Sequence, residues 1–423
     1  MKVVFYFALI MPFLVFGQKN GVRFEDNTSW AKIVAKAKAE HKYIFIDCFT
    51  TWCGPCKNME KDVFSLKEVG HFMNSRYISI RLQMDSTKND NENVRKQYAK
   101  AHSILKTFRI NAFPSYLFLS PTAAAVHRGL GYKDKFSFLQ MSQDALSPKS
   151  QYYTLLTDYY NRRIDKSGAR KLAEMVNIFG EYVLAKQIAD TYIQQLSGDE
   201  IYLRKNIEFY MEFVRRSTDQ GFDVLYKDPQ KVDKIMGASN YAQGLVDYII
   251  SYEEIDPKLW QPGYKVISDT PNWDQIRELI SVKYDSGYAN RTIVDAQIRW
   301  YGFRKEWARY CKVVIERVSK YGPFGTLNLK GWKLNANAWD LFLHSTDSSD
   351  LRIALMWSER CNSMISTPNL NYIDTYANLL YKLNRREEAI QWEEKAARLN
   401  PNDSDTKETL LKMKNGTQTW PNN

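Results

Sequence analysis

Cysteine is scarce in this chain: five in 423 residues, Cys48, Cys53, Cys56, Cys311 and Cys361. So few exclude a small-domain scaffold stapled by disulfides. Histidine is equally rare. His41, His71, His102, His127 and His344 are scattered, with no spacing suited to a metal or a catalytic triad, and are expected in structural or surface roles. No metal site is therefore expected. Long apolar runs are absent beyond Val3–Phe16, so no later stretch reaches the length needed to cross a bilayer. Blocks of one charge sign are missing too. The net charge is +11, but 59 Lys and Arg are interspersed with 48 Asp and Glu, and no nucleic-acid motif accompanies them. That pattern describes a solvated surface and argues against a nucleic-acid partner. What is plentiful is apolar mass, 44% hydrophobic and 14% aromatic, enough for two or three units in a chain of this length.

The N-terminus has the features of an export signal. Lys2 precedes the apolar run, and Val15-Phe16-Gly17 before Gln18 sets small residues three and one positions ahead of a cut. Residues 1–17 are expected to be removed, leaving a periplasmic or secreted protein with no transmembrane segment. No cysteine follows the cut, which argues against lipid anchoring.

Tyr43–Lys57, YIFIDCFTTWCGPCK, is the most informative stretch. Its aromatic and β-branched run predicts a buried strand, and Trp52-Cys53-Gly54-Pro55-Cys56-Lys57 falls where strand should turn into helix. A thiol at a helix N-terminus faces unpaired N–H groups and the positive end of the macrodipole, both of which favour the nucleophilic thiolate. Pro55 suits a first helical turn, where its missing N–H costs nothing. Cysteines one turn apart can close a small disulfide with little backbone movement. Cys53 is expected to be the exposed nucleophile and Cys56 the buried resolving thiol. A single C-x-x-C without a second pair disfavours zinc. Strand alternation puts Asp47 opposite Ile46 and Cys48, pointing either to the core or to solvent. Cys48 fits a buried small hydrophobe, a third redox thiol being the sharper alternative.

This stretch resembles the thioredoxin active site, and the resemblance covers roughly residues 22–147. Asp47, six positions before Cys53, matches the buried carboxylate that thioredoxins use to manage the proton of the second cysteine. Arg81, four residues before Asp85, stands where thioredoxins commonly carry a lysine. Pro114, in Asn111-Ala112-Phe113-Pro114-Ser115, matches the cis-proline that faces the disulfide. The resemblance implies Cys53, Cys56 and Asp47 as catalytic residues, and Trp52, Gly54, Pro55, Phe113 and Pro114 as substrate-binding residues. It implies no cofactor beyond a redox-active Cys53-Cys56 disulfide. Expected partners are protein disulfide clients and a membrane-linked thiol reductant.

Along the chain, Asn27 and Ser29 offer caps for a helix carrying Trp30, Ile33, Val34 and Ala37. Ser65-Leu66-Lys67-Glu68 reads as a capping box for the next helix. Tyr77–Met84 reads as a strand, Asp85–Asn93 as a polar, flexible segment, and a helix runs through Tyr98 and Leu105. A hairpin is expected around Ser120-Pro121-Thr122, then a helix near Phe136–Leu146. From Tyr152 onward apolar residues recur every three or four positions between breakers such as Ser167-Gly168, Asp256-Pro257 and Pro262-Gly263. That pattern predicts successive helices and no sheet. Cys311 and Cys361 lie on apolar stripes, and a bridge between them stays open. Leu370–Asp403 resembles a tetratricopeptide repeat, with Tyr376, Ala377, Ala389, Ala396 and Pro401 in place, Asn384 at the turn and Glu393 replacing an aromatic. A weaker copy carries Trp339, Ala354 and Cys361.

The expected fold is an α/β thioredoxin-like domain, a central mixed sheet flanked by helices, followed by an all-α helical-repeat domain. Expected boundaries are 1–17 signal peptide, 18–147 thioredoxin-like domain, 148–325 helical domain and 326–423 tetratricopeptide-like repeats. The expected function is an exported thiol-disulfide oxidoreductase reducing protein disulfides, its helical region docking clients or partners. The alternatives are a helical-repeat binding protein with a regulatory thioredoxin fold, or a disulfide isomerase.

Overall fold

Alternating residues of Tyr43–Phe49 (β1) divide the first core in two. Ile44, Ile46 and Cys48 join Ile78, Ile80, Leu82, Leu117 and Leu119 on one sheet face, while Phe45 joins Tyr77, Tyr116 and Phe118 on the other. The computed structural model describes residues 21–25, 28–263, 265–323 and 330–421. The expected signal peptide, Asn27, Gly325 and the boundary at 325 lie outside these. The chain divides into two compact units, Met1–Gln195 and Leu196–Asn423.

In the first unit, α1 (Trp30–Ala39) leads into β1, and Ser29 caps α1 by accepting from the Lys32 amide. Then come α2 (Gly54–Met59), widening into a π turn over Glu60–Phe64, α3 (Lys67–Arg76) and β2 (Tyr77–Gln83). Next are α4 (Glu92–Arg95), α5 (Tyr98–Thr107), β3 (Ser115–Leu119), β4 (Ala125–Leu130) and α6 (Lys135–Asp144). The sheet order is β2-β1-β3-β4, with β1 parallel to β2 and antiparallel to β3. Ile33 and Ala37 of α1 and Ala101 of α5 cover the aliphatic face. Met59, Val69, Met73 and Phe138 cover the aromatic face, where Phe45 stacks among Tyr116, Phe118 and Phe138. Each such fully buried aromatic contributes about 2 kcal/mol or more by leaving water.

Two local expectations fail here. The Ser65 hydroxyl bonds the Lys61 carbonyl at 2.5 Å, closing the preceding turn, so the capping box does not form and α3 starts from Leu66 without a side-chain cap. The segment after Asp85 is pinned rather than flexible: Asp90 accepts from Gln83, from the Thr87 amide and hydroxyl, and from the Tyr98 hydroxyl.

This unit runs past 147 to Gln195 because three helices close the β4 side: α7 (Tyr152–Tyr160), α8 (Lys166–Ile178) and α9 (Tyr182–Ile193). The Tyr152 amide donates to buried His127 Nδ1 of β4 at 3.0 Å, and the Arg128 guanidinium lies 3.8 Å over the Phe179 ring. Gly168, read as a breaker, sits inside α8; its amide donates at 2.7 Å to Asp165, the cap.

Among its described residues the second unit is helical from Arg204–Phe213 to Ser404–Lys414, with one pair of strands. Trp260–Gln261 and Lys265–Val266 pair as a two-residue antiparallel ribbon across the Pro262-Gly263 turn. Asp256-Pro257 does not break the helix either: Tyr241–Ile250 widens into a π turn over Ser251–Ile255 and runs directly into Asp256–Leu259, with Pro257 just past the π turn. Leu370–Lys382 and Arg386–Leu399 form a helical hairpin, with Asn384 at φ 61° in the turn and Ala377, Ala389 and Ala396 fully buried. Cys311 and Cys361 are free, buried thiols in separate clusters.

Candidate active site

The turn from β1 into α2 delivers both cysteines of the C-x-x-C to one helical turn, and they are joined as a disulfide. Cys53 is the N-cap of α2, and the Cys56 amide donates to its Sγ at 3.1 Å. Pro55 occupies the first helical turn. The expectation of an exposed Cys53 is corrected: in this oxidised state it is 2% exposed, as buried as Cys56. Trp52 is what stands in solvent, 70% exposed, its ring edge-on to Phe113 at 6.0 Å. Gly54 and Pro55 are exposed, and a Cβ at Gly54 would meet nothing within 4 Å, so the site does not need glycine there for space.

The peptide bond between Phe113 and Pro114 is cis, and the Pro114 carbonyl accepts from the Gly131 amide at 2.8 Å. This bond couples the loop before β3 to the loop after β4.

Asp47 is 1% exposed and, alternating with Phe45, faces the side of the sheet that carries α2. One oxygen accepts from Arg81 Nε at 3.2 Å, directly across the β1–β2 register, while Oδ1 has no hydrogen-bond partner among the described residues. Burial pushes its carboxyl up to about 6 against the pull of Arg81, with a further push from Glu60. Arg81 also pairs with Glu60 at 3.0 Å and lies 4.5 Å over Phe49, so one cation links the buried carboxylate to an exposed one.

Sequence reasoning missed Thr51 and Asp85. The Asp85 carboxylate accepts from the Thr51 amide at 3.0 and 3.2 Å and from its hydroxyl at 2.5 Å, anchoring the residue before Trp52-Cys53. No local pattern signals this, because the partners lie 34 residues apart. Cys48 is buried on the opposite, aliphatic face, its thiol pushed well up by burial and by Asp47. Among the described residues no cluster of metal-ligating side chains occurs.

The arrangement can open and close one disulfide, and the sheet face that carries α2 also holds a buried carboxyl raised to about 6. Residues 30–146 match the thioredoxin-like domain family. Thioredoxin-1 of Drosophila melanogaster is 26% identical over 81 residues, 19% of this chain and 60% of that protein. An H-type thioredoxin of Chlamydomonas reinhardtii is 48% identical over 33 residues, 8% of this chain and 29% of its own. The chain thus spans less than two thirds of the length of these curated relatives. Among solved structures, a candidate disulphide-isomerase from Bacteroides thetaiotaomicron is 27% identical, covering 31% of this chain and 97% of that one, at a TM-score of 0.26. The family match, the four-stranded sheet and the cysteine pair at the start of α2 agree: residues 30–146 form a thioredoxin-like domain.

Proposed function

We propose that this protein is an exported thiol-disulfide oxidoreductase that reduces protein disulfides. The observation that supports it best is the Cys53-Cys56 disulfide at the start of α2, with the buried Asp47 carboxyl on the same side of the sheet. In the reduced protein, Cys53 thiolate attacks one sulfur of the client disulfide, forming a mixed disulfide and expelling a client thiolate, which takes up a proton. Cys56 passes its proton to Asp47 and attacks Cys53 Sγ. That closes the Cys53-Cys56 bond and releases the second client thiolate, so two electrons have passed to the client. A dithiol donor, membrane-linked in an exported setting, reopens the bond by the same exchange in reverse. The cis Phe113-Pro114 bond, with exposed Trp52, Gly54 and Pro55, would line the groove that receives the client.

Export rests on the Lys2–Gly17 pattern; among the described residues no helix is long and apolar enough to cross a membrane. The helical residues beyond 147 would select or dock clients. Reduction of a small model disulfide by the full-length protein tests the chemistry, and trapping on Cys56→Ser tests whether proteins are the clients. An inert full-length protein in the first assay would remove the oxidoreductase reading. Repair of a scrambled protein without net reduction would replace it with an isomerase.

A further inference from the structure

A groove of about 720 Å³ lies in the first unit where the loop after β4 and helix α6 meet α8. One wall belongs to the loop that touches the site: Gly131 bonds Pro114, and the Lys133 amide sits 3.3 Å from Sδ of Met59 in α2. The opposite wall is α8, which lies beyond the residues matched to the thioredoxin-like family. Met141, Met175 and Ile178 give the groove an apolar floor.

Its charges are unevenly committed. Each lining carboxylate is engaged: Asp134 caps α6 through the Ser137 amide at 2.7 Å, Asp144 pairs with Lys171 at 2.8 Å, and Glu174 pairs with Arg170 at 3.0 Å. Two lining cations have no ion pair among the described residues. Arg128 lies flat on Phe179 and bonds the Tyr153 hydroxyl, and half-buried Lys133 donates to the Leu130 carbonyl at 2.9 Å. Both keep N–H donors for an incoming acceptor. Apolar floor and uncommitted cations together suit a peptide carrying a carboxylate next to an apolar side chain.

We propose that this groove receives an acidic segment of the client polypeptide beside its disulfide, an apolar side chain resting on Met141 and Met175 and a carboxylate meeting Arg128 and Lys133. The inference rests on the oxidoreductase reading and names its substrate class.

The test uses the full-length protein and two disulfide-bonded peptides that differ only in Glu or Gln, each beside a leucine a few residues from the cystine. The expected ratio of kcat/KM, Glu over Gln, is about tenfold at low salt and smaller at 0.5 M salt. Lys133→Gln should bring the ratio close to one, and Lys133→Arg should restore it. Using a ratio removes any general loss of activity from the comparison. A wild-type ratio of one, or a ratio that survives Lys133→Gln, overturns the proposal. Equal competition by free N-acetylglutamate would make this a small-anion site and overturn it as well. Failure to reduce a small uncharged disulfide would instead remove the oxidoreductase reading. The groove would then still be decided by fluorescence anisotropy with the same peptides, where equal binding of Glu and Gln forms overturns it.

Discussion

The two units treat their buried thiols and carboxylates differently. In the first, the cysteine pair sits where a strand hands over to a helix, with an amide donating to Cys53 Sγ. In the second, Cys311 lies inside its helix and Cys361 in the last turn of its own, both in apolar clusters, and burial pushes their thiols up to about 12 and about 11. The carboxylates repeat the contrast. Asp295 is clamped by Arg317 at 2.5 Å, and Asp247 takes two bonds from Arg291 at 2.6 and 2.7 Å. Asp47 has a single bond from Arg81 and one bare oxygen. Burial alone therefore does not mark a working group. At the turn into α2, burial comes together with valence left over: a sulfur at a helix N-terminus and, on the same face of the sheet, a carboxylate oxygen with no donor among the described residues.

The comparison breaks most directly at the cysteines. Cys53→Ser should reduce turnover of a model disulfide to background, since the exchange closes through the Cys53-Cys56 pair and Cys56 alone cannot complete it. Cys311→Ser and Cys361→Ser should leave turnover unchanged and cost the second unit about 1–3 kcal/mol for burying a hydroxyl, less at Cys361, whose Sγ already donates to the Gly331 carbonyl at 3.2 Å. Loss of activity in either of the latter would show that the second unit takes part in the chemistry.

Asp47 and Asp295 sharpen it next, because burial pushes both up to about 6. A carboxyl raised in the folded state holds its proton more tightly there. Its unit is then most stable below the ordinary carboxylate range and loses stability as pH climbs from about 4 through about 6. For Asp47 the ceiling on that loss is about 3 kcal/mol, from the gap between 3.8 and about 6. Asp47→Asn should therefore stabilise the first unit at pH 8 by up to about 3 kcal/mol, because Arg81 keeps Glu60 as a partner. The same variant should slow turnover by roughly a hundredfold, the scale of a lost proton acceptor. Asp295→Asn should go the other way. It removes the carboxylate partner of buried Arg317, and breaking a buried pair costs about 3–5 kcal/mol, the low end applying here because Arg317 still donates to the Gly322 carbonyl at 2.8 Å. Hydrogen exchange read separately for each unit measures both, since one unfolding free energy does not describe a two-unit chain. Equal signs for the two variants would erase the distinction.

Much of the first unit could be read from residues because its signals are short-range. Alternation in Tyr43–Phe49 separated Asp47 from the aliphatic face, and turn residues placed the hairpin at Ser120-Pro121-Thr122. What stayed hidden depends on distant partners. Nothing near His127 announces that its ring accepts from Tyr152, so the first unit's extent past Ser147 was not visible. The Ser65 hydroxyl could accept from the Glu68 amide or donate into the preceding turn, and it donates to the Lys61 carbonyl. Glu393 was seen only as a departure from a repeat pattern. The structure shows it buried beside Asp374, its carboxyl pushed well up by burial and by that neighbour. A carboxyl raised in the folded state costs stability as pH climbs past the ordinary carboxylate range, so Glu393→Gln should stabilise the second unit at pH 8. A urea titration of the hairpin's hydrogen exchange checks the direction.

The smallest effect separates two carboxylates in one loop. Asp85 holds the Thr51 amide and hydroxyl, next to Trp52-Cys53, whereas Asp90 ties the loop to itself through Gln83, Thr87 and Tyr98. Asp85→Asn keeps the shape but turns one acceptor into a donor facing the Thr51 amide. A lost hydrogen bond of this kind is worth about 0.5–1.5 kcal/mol, so turnover of a model disulfide should fall by roughly two- to tenfold. Exchange at the Thr51 amide should quicken by a similar factor. Asp90→Asn should quicken exchange at Thr87 while leaving turnover alone, because none of its bonds reaches the residues before Cys53. If the two variants slow turnover equally, the loop acts on the cysteines as a body, and the Thr51 anchor has no separate role.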